Sequence, residues 1–383
     1  MTAQAVNDVG LFAGDDPRVR RVIGPSGEPA RLGDAPPAAE LCLDLYRRMV
    51  VGRRLDQQAT ALAKQGRLAV YPSSLGQEAC QVGAVAPLRP GDWFFPTYRD
   101  CVAVMSRGVD PVEALTLMRG DHHCGYDPYL HRTAPQTTPL ATQAVHAAGL
   151  AHGARLRGDD TVALALIGDG ATSEGDFHEA CNFAAVFRSP VVFLVQNNQY
   201  AISVPLSRQT AAKRLADKAI GYGMSAHVVD GNDAVAVALV VSEALEAARA
   251  GEGPSLIEAL TYRVGPHTNS DDPSRYRGEE EVEPWRRRDP IERLRAHLRG
   301  RGLLDDALDD DIAGEAERLA GDLRRRLAED GPAEPAELAE LFDHVYSRPT
   351  PRLRRQAAAL GAEPGGRPDH PPSPGNGEQC RPR

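Results

Sequence analysis

Apolar positions change period within one stretch of the chain, 161–203. Thr161–Ile167 is an unbroken apolar run of strand length, rich in Val, Leu and Ile, as a strand buried on both faces requires. From Gly175 to Phe187 the period lengthens. Phe177, Ala180, Cys181, Ala184 and Phe187 fall three and four apart, on one face of a helix. Ser189-Pro190 stops that helix, and Val191–Gln196 reads as a second buried strand ending at Asn197-Asn198. The pattern predicts a βαβ unit whose two strands are parallel.

The same reading places helices from Ala38 to about Leu62, over Gly76–Ala86 and over Val112–Met118. Arg119–Leu140 shows no clean period and reads as a long loop, of the kind usually tied to function or motion. Beyond the central unit the expected elements are a helix at Ala211–Ile220, a strand at Ala226–Val229 and a helix at Ala234–Ala250. Asp230-Gly231-Asn232-Asp233 supplies that last helix with a turn and an N-cap. Then come a strand at Ser255–Val264, a polar loop at Gly265–Gly278, and helices over Glu279–Arg299, Asp305–Glu329 and Glu337–Tyr346. Alternating β and α elements predict an α/β fold with a doubly wound, mostly parallel sheet. Residues 1–37 read as an arm, extended or poorly ordered until it meets a partner. Residues 38–346 read as the α/β domain with C-terminal helices. Residues 347–383 read as a basic, Pro/Gly-rich tail, disordered from 362.

Composition narrows the class. A net charge of −9 over 383 residues argues against a general nucleic-acid binder. The longest apolar run, Ala234–Val241, is far short of a membrane span. Six cysteines without a Cys-x-x-Cys pair read as reduced thiols of a cytoplasmic protein. The adjacent His122 and His123 have no matching carboxylate pattern and read as surface or packing residues.

The candidate chemistry lies where the two central strands end. Open parallel sheets bind ligands at that edge, where helix N-termini and backbone N–H groups favour anions. In Gly168-Asp169-Gly170-Ala171 the glycines allow close backbone approach to a diphosphate. Asp169 and Asn198 offer oxygens from neighbouring strand ends, suited to Mg2+, whose shell phosphate oxygens and water usually complete. Gly-Asp-Gly alone is a weak motif. Positions 171–196 between Gly170 and Asn197 supply the spacing that raises it.

That spacing is similar to the thiamine-diphosphate signature. With Thr97–Asp100 (TYRD), Thr138–Gln143 (TPLATQ) and Thr261–Arg277 (TYRVGPHTNSDDPSRYR), the chain closely resembles the α subunit of the thiamine-diphosphate-dependent 2-oxo acid dehydrogenases from about Leu41 to Tyr346. The resemblance implies a thiamine-diphosphate-binding fold. It implies Mg2+ ligation by Asp169, Asn198 and the backbone carbonyl of Tyr200, with Gly168, Gly170 and Ala171 in the same diphosphate site. It implies cofactor contacts from Tyr98 and Arg99, pocket walls at Thr138 and Leu140, and an active-site histidine at His267. A guanidinium fork suits phosphate oxygens, and a near-neutral histidine suits proton transfer or hydrogen bonding to an intermediate. Thr137, Pro139, Thr142 and Gln143 match a structural K+ site of branched-chain members.

The implied reaction is decarboxylation of a 2-oxo acid and reductive acylation of a lipoyl group on an acyltransferase partner. The implied assembly is α2β2 with a β subunit, and the glutamate that activates the cofactor lies on that subunit. Branched-chain 2-oxo acids are favoured by SDDPSRYR and the following EEVEPWRRRDPIERLRAHL. Pyruvate is the alternative substrate, and a non-catalytic scaffold of the same fold the alternative role. Gln196 and Asp100-Cys101 depart from patterns seen in relatives. The loop Gly265–Gly278, where mitochondrial relatives carry regulatory phosphoserines and Thr268 follows His267, is expected to be mobile until cofactor binds, with Arg275 or Arg277 pairing its acids.

Overall fold

The computed structural model describes residues 16–31, 36–121, 123–329, 340–343 and 345–361. Most of the arm (1–15, 32–35), His122, the first part of the expected helix at Glu337–Tyr346, and the end of the tail from 362 lie outside the described residues. The chain divides into two compact units, Met1–Gly331 and Pro332–Arg383.

The first unit is built on a six-stranded sheet. Its strands are β1 (Val19–Arg20), β2 (Trp93–Phe95), β3 (Ala163–Gly168), β4 (Val191–Asn197), β7 (Ser225–Asp230) and β8 (Ser255–Leu260), in the spatial order β1-β7-β8-β4-β3-β2. Every pairing is parallel. A two-stranded hairpin, β5 (Tyr200–Ala201) with β6 (Val204–Pro205), follows β4.

Alternation along the central strands divides the core into two layers. Leu164, Leu166, Val192, Leu194 and Ile257 pack with the helices Glu78–Val85 and Ala234–Arg249. Ala163, Ala165, Ile167, Val191, Phe193 and Val195 pack with the helices Thr142–Arg157 and Gly175–Val186. Helices thus cover both faces, as a doubly wound sheet requires. Each fully buried Val, Leu or Ile contributes roughly 1.5–3 kcal/mol, so the continuous apolar runs of β3 and β4 anchor the domain.

Several expectations need correction. The arm is not wholly extended: β1 pairs with β7, and Ile23 is buried. Asp233 accepts from the backbone N–H groups of Val22 and Ile23, both at 2.8 Å, which fixes this segment to the sheet edge. The expected helix Glu279–Arg299 is two helices, Glu279–Arg286 and Pro290–Gly300. Pro290 lacks an N–H and disfavours helical backbone at Asp289, while Asp289 caps the second helix through Ile291 and Glu292. The helix expected at Ala211–Ile220 shrinks to Lys218–Tyr222. In the second unit Glu340–Asp343 and Pro351–Ala359 are helical. The second of these lies within the expected tail, with Thr350 as its N-cap. Phe342, Leu353 and Ala357 form a small core there.

Elements without a forecast include β1, β2, the hairpin, the short helices Cys101–Ser106 and Pro128–His131, and the longer helix Thr142–Arg157. That last helix buries Ala144, Ala147, Ala148, Ala151 and Ala154, so its fully buried stripe is alanine rather than large apolar side chains that would mark its period.

Candidate active site

The register aligns the C-terminal ends of the strands. Gly168 pairs with Gln196, and Asn197 with Leu260. Asp169, Asn198 and the segment after β8 therefore emerge side by side. Thr97 bridges to Thr137, which adds the stretch from Thr137 to Leu140. These segments enclose a cleft of about 410 Å3. All eleven residues expected at the site line it: Tyr98, Arg99, Thr138, Leu140, Gly168, Asp169, Gly170, Ala171, Asn198, Tyr200 and His267. Of the residues matched to K+, Thr137, Pro139 and Gln143 line the cleft, whereas Thr142 begins the adjoining helix.

The Asp169 carboxyl is buried and forms no ion pair among the described residues; Gln209 Nε2 donates to its Oδ2 at 2.8 Å. Burial pushes its pKa above the ordinary carboxylate range, opposed by the Gln209 hydrogen bond and more distantly by Arg263. Asn198 Nδ2 donates to Gln77 Oε1 at 3.1 Å, and Asn198 Oδ1 accepts from the Tyr200 N–H at 3.3 Å. The Tyr200 side chain is committed elsewhere, its hydroxyl donating to Glu281 at 2.9 Å, so it is the backbone of Tyr200 that can serve a ligand. The neighbouring Asn197 turns inward, donating to Glu258 at 2.7 Å.

Gly170 has a steric reason. A Cβ there would stand 2.7 Å from the Ala201 Cβ, whereas one on Gly168 would meet nothing within 4 Å. The hairpin therefore closes directly over the Asp169–Gly170 turn. Both Gln199 and Ile202 hold left-handed backbone, φ 75° and 55°. That is costly for a β-branched residue, and Arg263 secures the Ile202 carbonyl at 2.6 Å.

Elsewhere in the lining Arg99, 6% exposed, donates to the carbonyls of Ser73 and His267, each at 3.0 Å, and to His267 Nδ1 at 3.0 Å. Arg263, 1% exposed, approaches the same Nδ1 at 3.4 Å and donates to the Tyr276 hydroxyl at 2.8 Å. Guanidinium groups only donate, so Nδ1 accepts and the ring proton sits on Nε2. Burial, then Arg99, then Arg263 lower the His267 pKa from 6.5 to about 4, against a weaker pull from Asp271. His267 is thus a neutral N–H donor at pH 7, which of the two expected roles favours hydrogen bonding over proton transfer.

The loop after β8 makes many contacts of its own. Arg277 donates to the backbone carbonyls of Arg263, Val264 and Gly265. Asp271 accepts from the His267 N–H at 2.7 Å and the Tyr276 hydroxyl at 2.5 Å, and Asn269 accepts from the Tyr71 N–H at 3.0 Å. Asp272 accepts from the backbone N–H and hydroxyl of Ser274. The expected pairing of Arg277 with the acids is therefore replaced by carbonyl contacts.

The cleft is lined by the buried Asp169 carboxylate and by the buried guanidinium of Arg99, neither of which forms an ion pair among the described residues. Isolated buried charges are costly, and a ligand carrying its own cation and anion relieves both. The donor set is one carboxylate with amide and carbonyl oxygens. Among the described residues no group of three His, Cys, Asp or Glu side chains suits a metal by itself, so a cation here needs ligand oxygens too. Magnesium diphosphate fits that requirement.

Sequence reasoning missed Gln77, Gln209 and Arg263. Gln77 and Gln209 look like any polar loop or cap residue, and only the fold brings them to Asn198 and Asp169. Arg263 carried a legible signal, a charge between Tyr262 and Val264 in a strand-like run. The two departures, Gln196 and Asp100, are partners: Gln196 Nε2 donates to Asp100 Oδ1 at 2.7 Å in the buried cleft floor.

Comparison with known proteins agrees with this geometry. Residues 46–334 match the family described as Dehydrogenase E1 component. A Mycobacterium tuberculosis protein named 3-methyl-2-oxobutanoate dehydrogenase subunit alpha is 46% identical over 356 residues, covering 92% of this chain and 96% of that protein. Proteins named pyruvate dehydrogenase E1 component subunit alpha are 39% identical over 319 residues in Staphylococcus epidermidis, covering 83% of this chain and 85% of that one, and 37% identical over 318 residues in Acholeplasma laidlawii, covering 83% and 92%. The chain, with its parallel sheet and its cleft at the strand ends, belongs to the dehydrogenase E1 component family.

Proposed function

We propose that this chain is the α subunit of a thiamine-diphosphate-dependent 2-oxo acid dehydrogenase, acting with a β subunit in an α2β2 assembly. Branched-chain 2-oxo acids are the favoured substrates and pyruvate the alternative. The acyl group passes to a lipoyl group on an acyltransferase partner. The observation that carries this reading is that buried Asp169 and buried Arg99 line one cleft, a combination that suits a diphosphate with its magnesium.

In this reading Asp169, Asn198 and the Tyr200 carbonyl hold Mg2+, while Gly168, Gly170 and Ala171 give the diphosphate close backbone contact. Arg99 and Tyr98 border the diphosphate, and Thr138 and Leu140 flank the cofactor. Thr137, Pro139, Thr142 and Gln143 form the K+ site. Bound thiamine diphosphate would supply the electron sink for decarboxylation. His267, neutral and protonated on Nε2, orients a substrate oxygen by donating to it. The guanidinium groups at Nδ1 hold that tautomer. Met118, Val70 and Pro72 add an apolar wall that suits an aliphatic acyl chain.

The branched-chain preference rests on similarity to the Mycobacterium tuberculosis protein. The test is a panel of pyruvate, 2-oxobutyrate and the three branched-chain 2-oxo acids with the reconstituted α/β pair. A kcat/KM for pyruvate above that for every branched-chain acid would overturn the preference. Absence of magnesium-dependent thiamine diphosphate binding would overturn the cofactor reading and leave the scaffold alternative.

A further inference from the structure

Gln209 is the one side chain seen donating to the Asp169 carboxylate among the described residues, and it comes from forty positions away. It sits just after the single turn Leu206–Arg208 that follows β6. Both its amide protons are used. Nε2 donates to Asp169 Oδ2 at 2.8 Å and to the Val204 carbonyl at 3.0 Å. Its Oε1 is buried without a partner. A flipped amide would turn that oxygen onto a carboxylate and a carbonyl, both acceptors, so the orientation is fixed by its neighbours. The amide thus ties Asp169 to the hairpin that carries Tyr200, the same hairpin whose Ala201 closes over Gly170.

A neutral donor has a particular consequence. A lysine or arginine at this place would orient Asp169 equally well but would satisfy its charge. Glutamine fixes one carboxylate oxygen and leaves the negative charge for a cation. We infer that Gln209 is a positioning residue for the cation site. It holds Asp169 and the Tyr200 hairpin in the arrangement a divalent cation needs, without neutralising the acid. This inference rests on the reading of Asp169 as a metal ligand.

The test uses the reconstituted α/β complex and reads the Mg2+ concentration that half-saturates thiamine diphosphate binding, by calorimetry, together with hydrogen exchange of residues 199–210. In Gln209→Leu the half-saturating Mg2+ rises about tenfold or more, the scale expected when a partner of a metal ligand is lost. Saturating Mg2+ restores kcat, and amides 199–204 exchange faster in the absence of Mg2+. In Gln209→Lys those amides stay protected while the Mg2+ requirement rises further, because the new ammonium competes with the cation for Asp169. Unchanged half-saturation in Gln209→Leu overturns the inference. So does a loss of kcat that saturating Mg2+ fails to restore, which would mark a general structural role. If the wild-type complex binds thiamine diphosphate independently of Mg2+, the metal-ligand reading itself fails, and Gln209 with it.

Discussion

Asp169 and His267 show how burial sets the chemistry of single residues. The folded pKa of the Asp169 carboxyl lies above its ordinary value. A carboxyl shifted this way binds its proton longer in the folded state, so its contribution to stability is full below the unfolded pKa and is lost as pH rises through the folded one. Burial therefore opposes ionisation of Asp169 in the folded, ligand-free protein. Asp169→Asn is expected to raise the ligand-free stability of the complex at pH 7 by roughly 1–3 kcal/mol, the scale of an uncompensated buried polar group. It should also abolish the rise in melting temperature given by Mg2+ with thiamine diphosphate. A magnesium-dependent rise of wild-type size in the variant would remove Asp169 from the cation site.

His267 shifts the other way. Between pH 6.5 and about 4 the unfolded histidine is protonated while the folded one stays neutral, so its contribution to stability falls as pH drops through that window. A proton titration of the His267 ring by NMR should give a pKa near 4 in the wild type. Burial is the largest cause, and Arg99 the next. Arg99→Gln should therefore move the value up toward 6.5 without reaching it. An unshifted wild-type value would mean that the two guanidinium groups do not face the ring as described.

At the scale of elements, the site depends on how closely the β5–β6 hairpin approaches the turn after β3. Gly170→Ala would place its Cβ 2.7 Å from that of Ala201, and the hairpin must move away. The strands on either side are packed without it. The expected outcome is a fold of near-wild-type stability with thiamine diphosphate affinity reduced about tenfold, about 1.4 kcal/mol, read by calorimetry at fixed Mg2+. Equal affinity would show that the hairpin yields at no cost. The elements also show which signals a sequence transmits. β3 and β4 were legible because strands buried on both faces are continuously apolar. The helix Thr142–Arg157 was not, because alanines let it lie close to β3 and its neighbouring helix without a hydrophobic stripe. The break at Asp289–Pro290 was written in the sequence as a cap followed by proline, and helical periodicity on both sides masked it.

Over the whole molecule, apolar side chains remain exposed on two helices that pack together, Thr142–Arg157 and Gly175–Val186. Phe183 and Phe187 pack together with His152, ring centroids 4.6–5.3 Å apart. Phe187, the last residue of the forecast helical stripe, is 42% exposed. Val186 and Leu156 are 67% and 71% exposed. Contiguous exposed apolar surface of this kind marks association surfaces. The double variant Leu156→Glu, Val186→Glu should leave the chain folded by circular dichroism but weaken its association with other subunits by at least tenfold in sedimentation experiments. Unaltered assembly would place the subunit contacts elsewhere.

What the sequence determined by itself was the central βαβ unit, the parallel sheet and, through the family resemblance, residues that line the cleft. Apolar period and glycine placement are local properties, and Asp169, Asn198 and His267 each follow a strand whose end they mark. Only the tertiary structure decided how those residues behave. Burial raised the pKa of Asp169, and the guanidinium groups of Arg99 and Arg263 fixed the tautomer of His267 and lowered its pKa. Gln77 and Gln209 met Asn198 and Asp169 through contacts 121 and 40 positions apart. Desolvation and hydrogen-bond geometry depend on distances in space, and no local pattern along a chain records them.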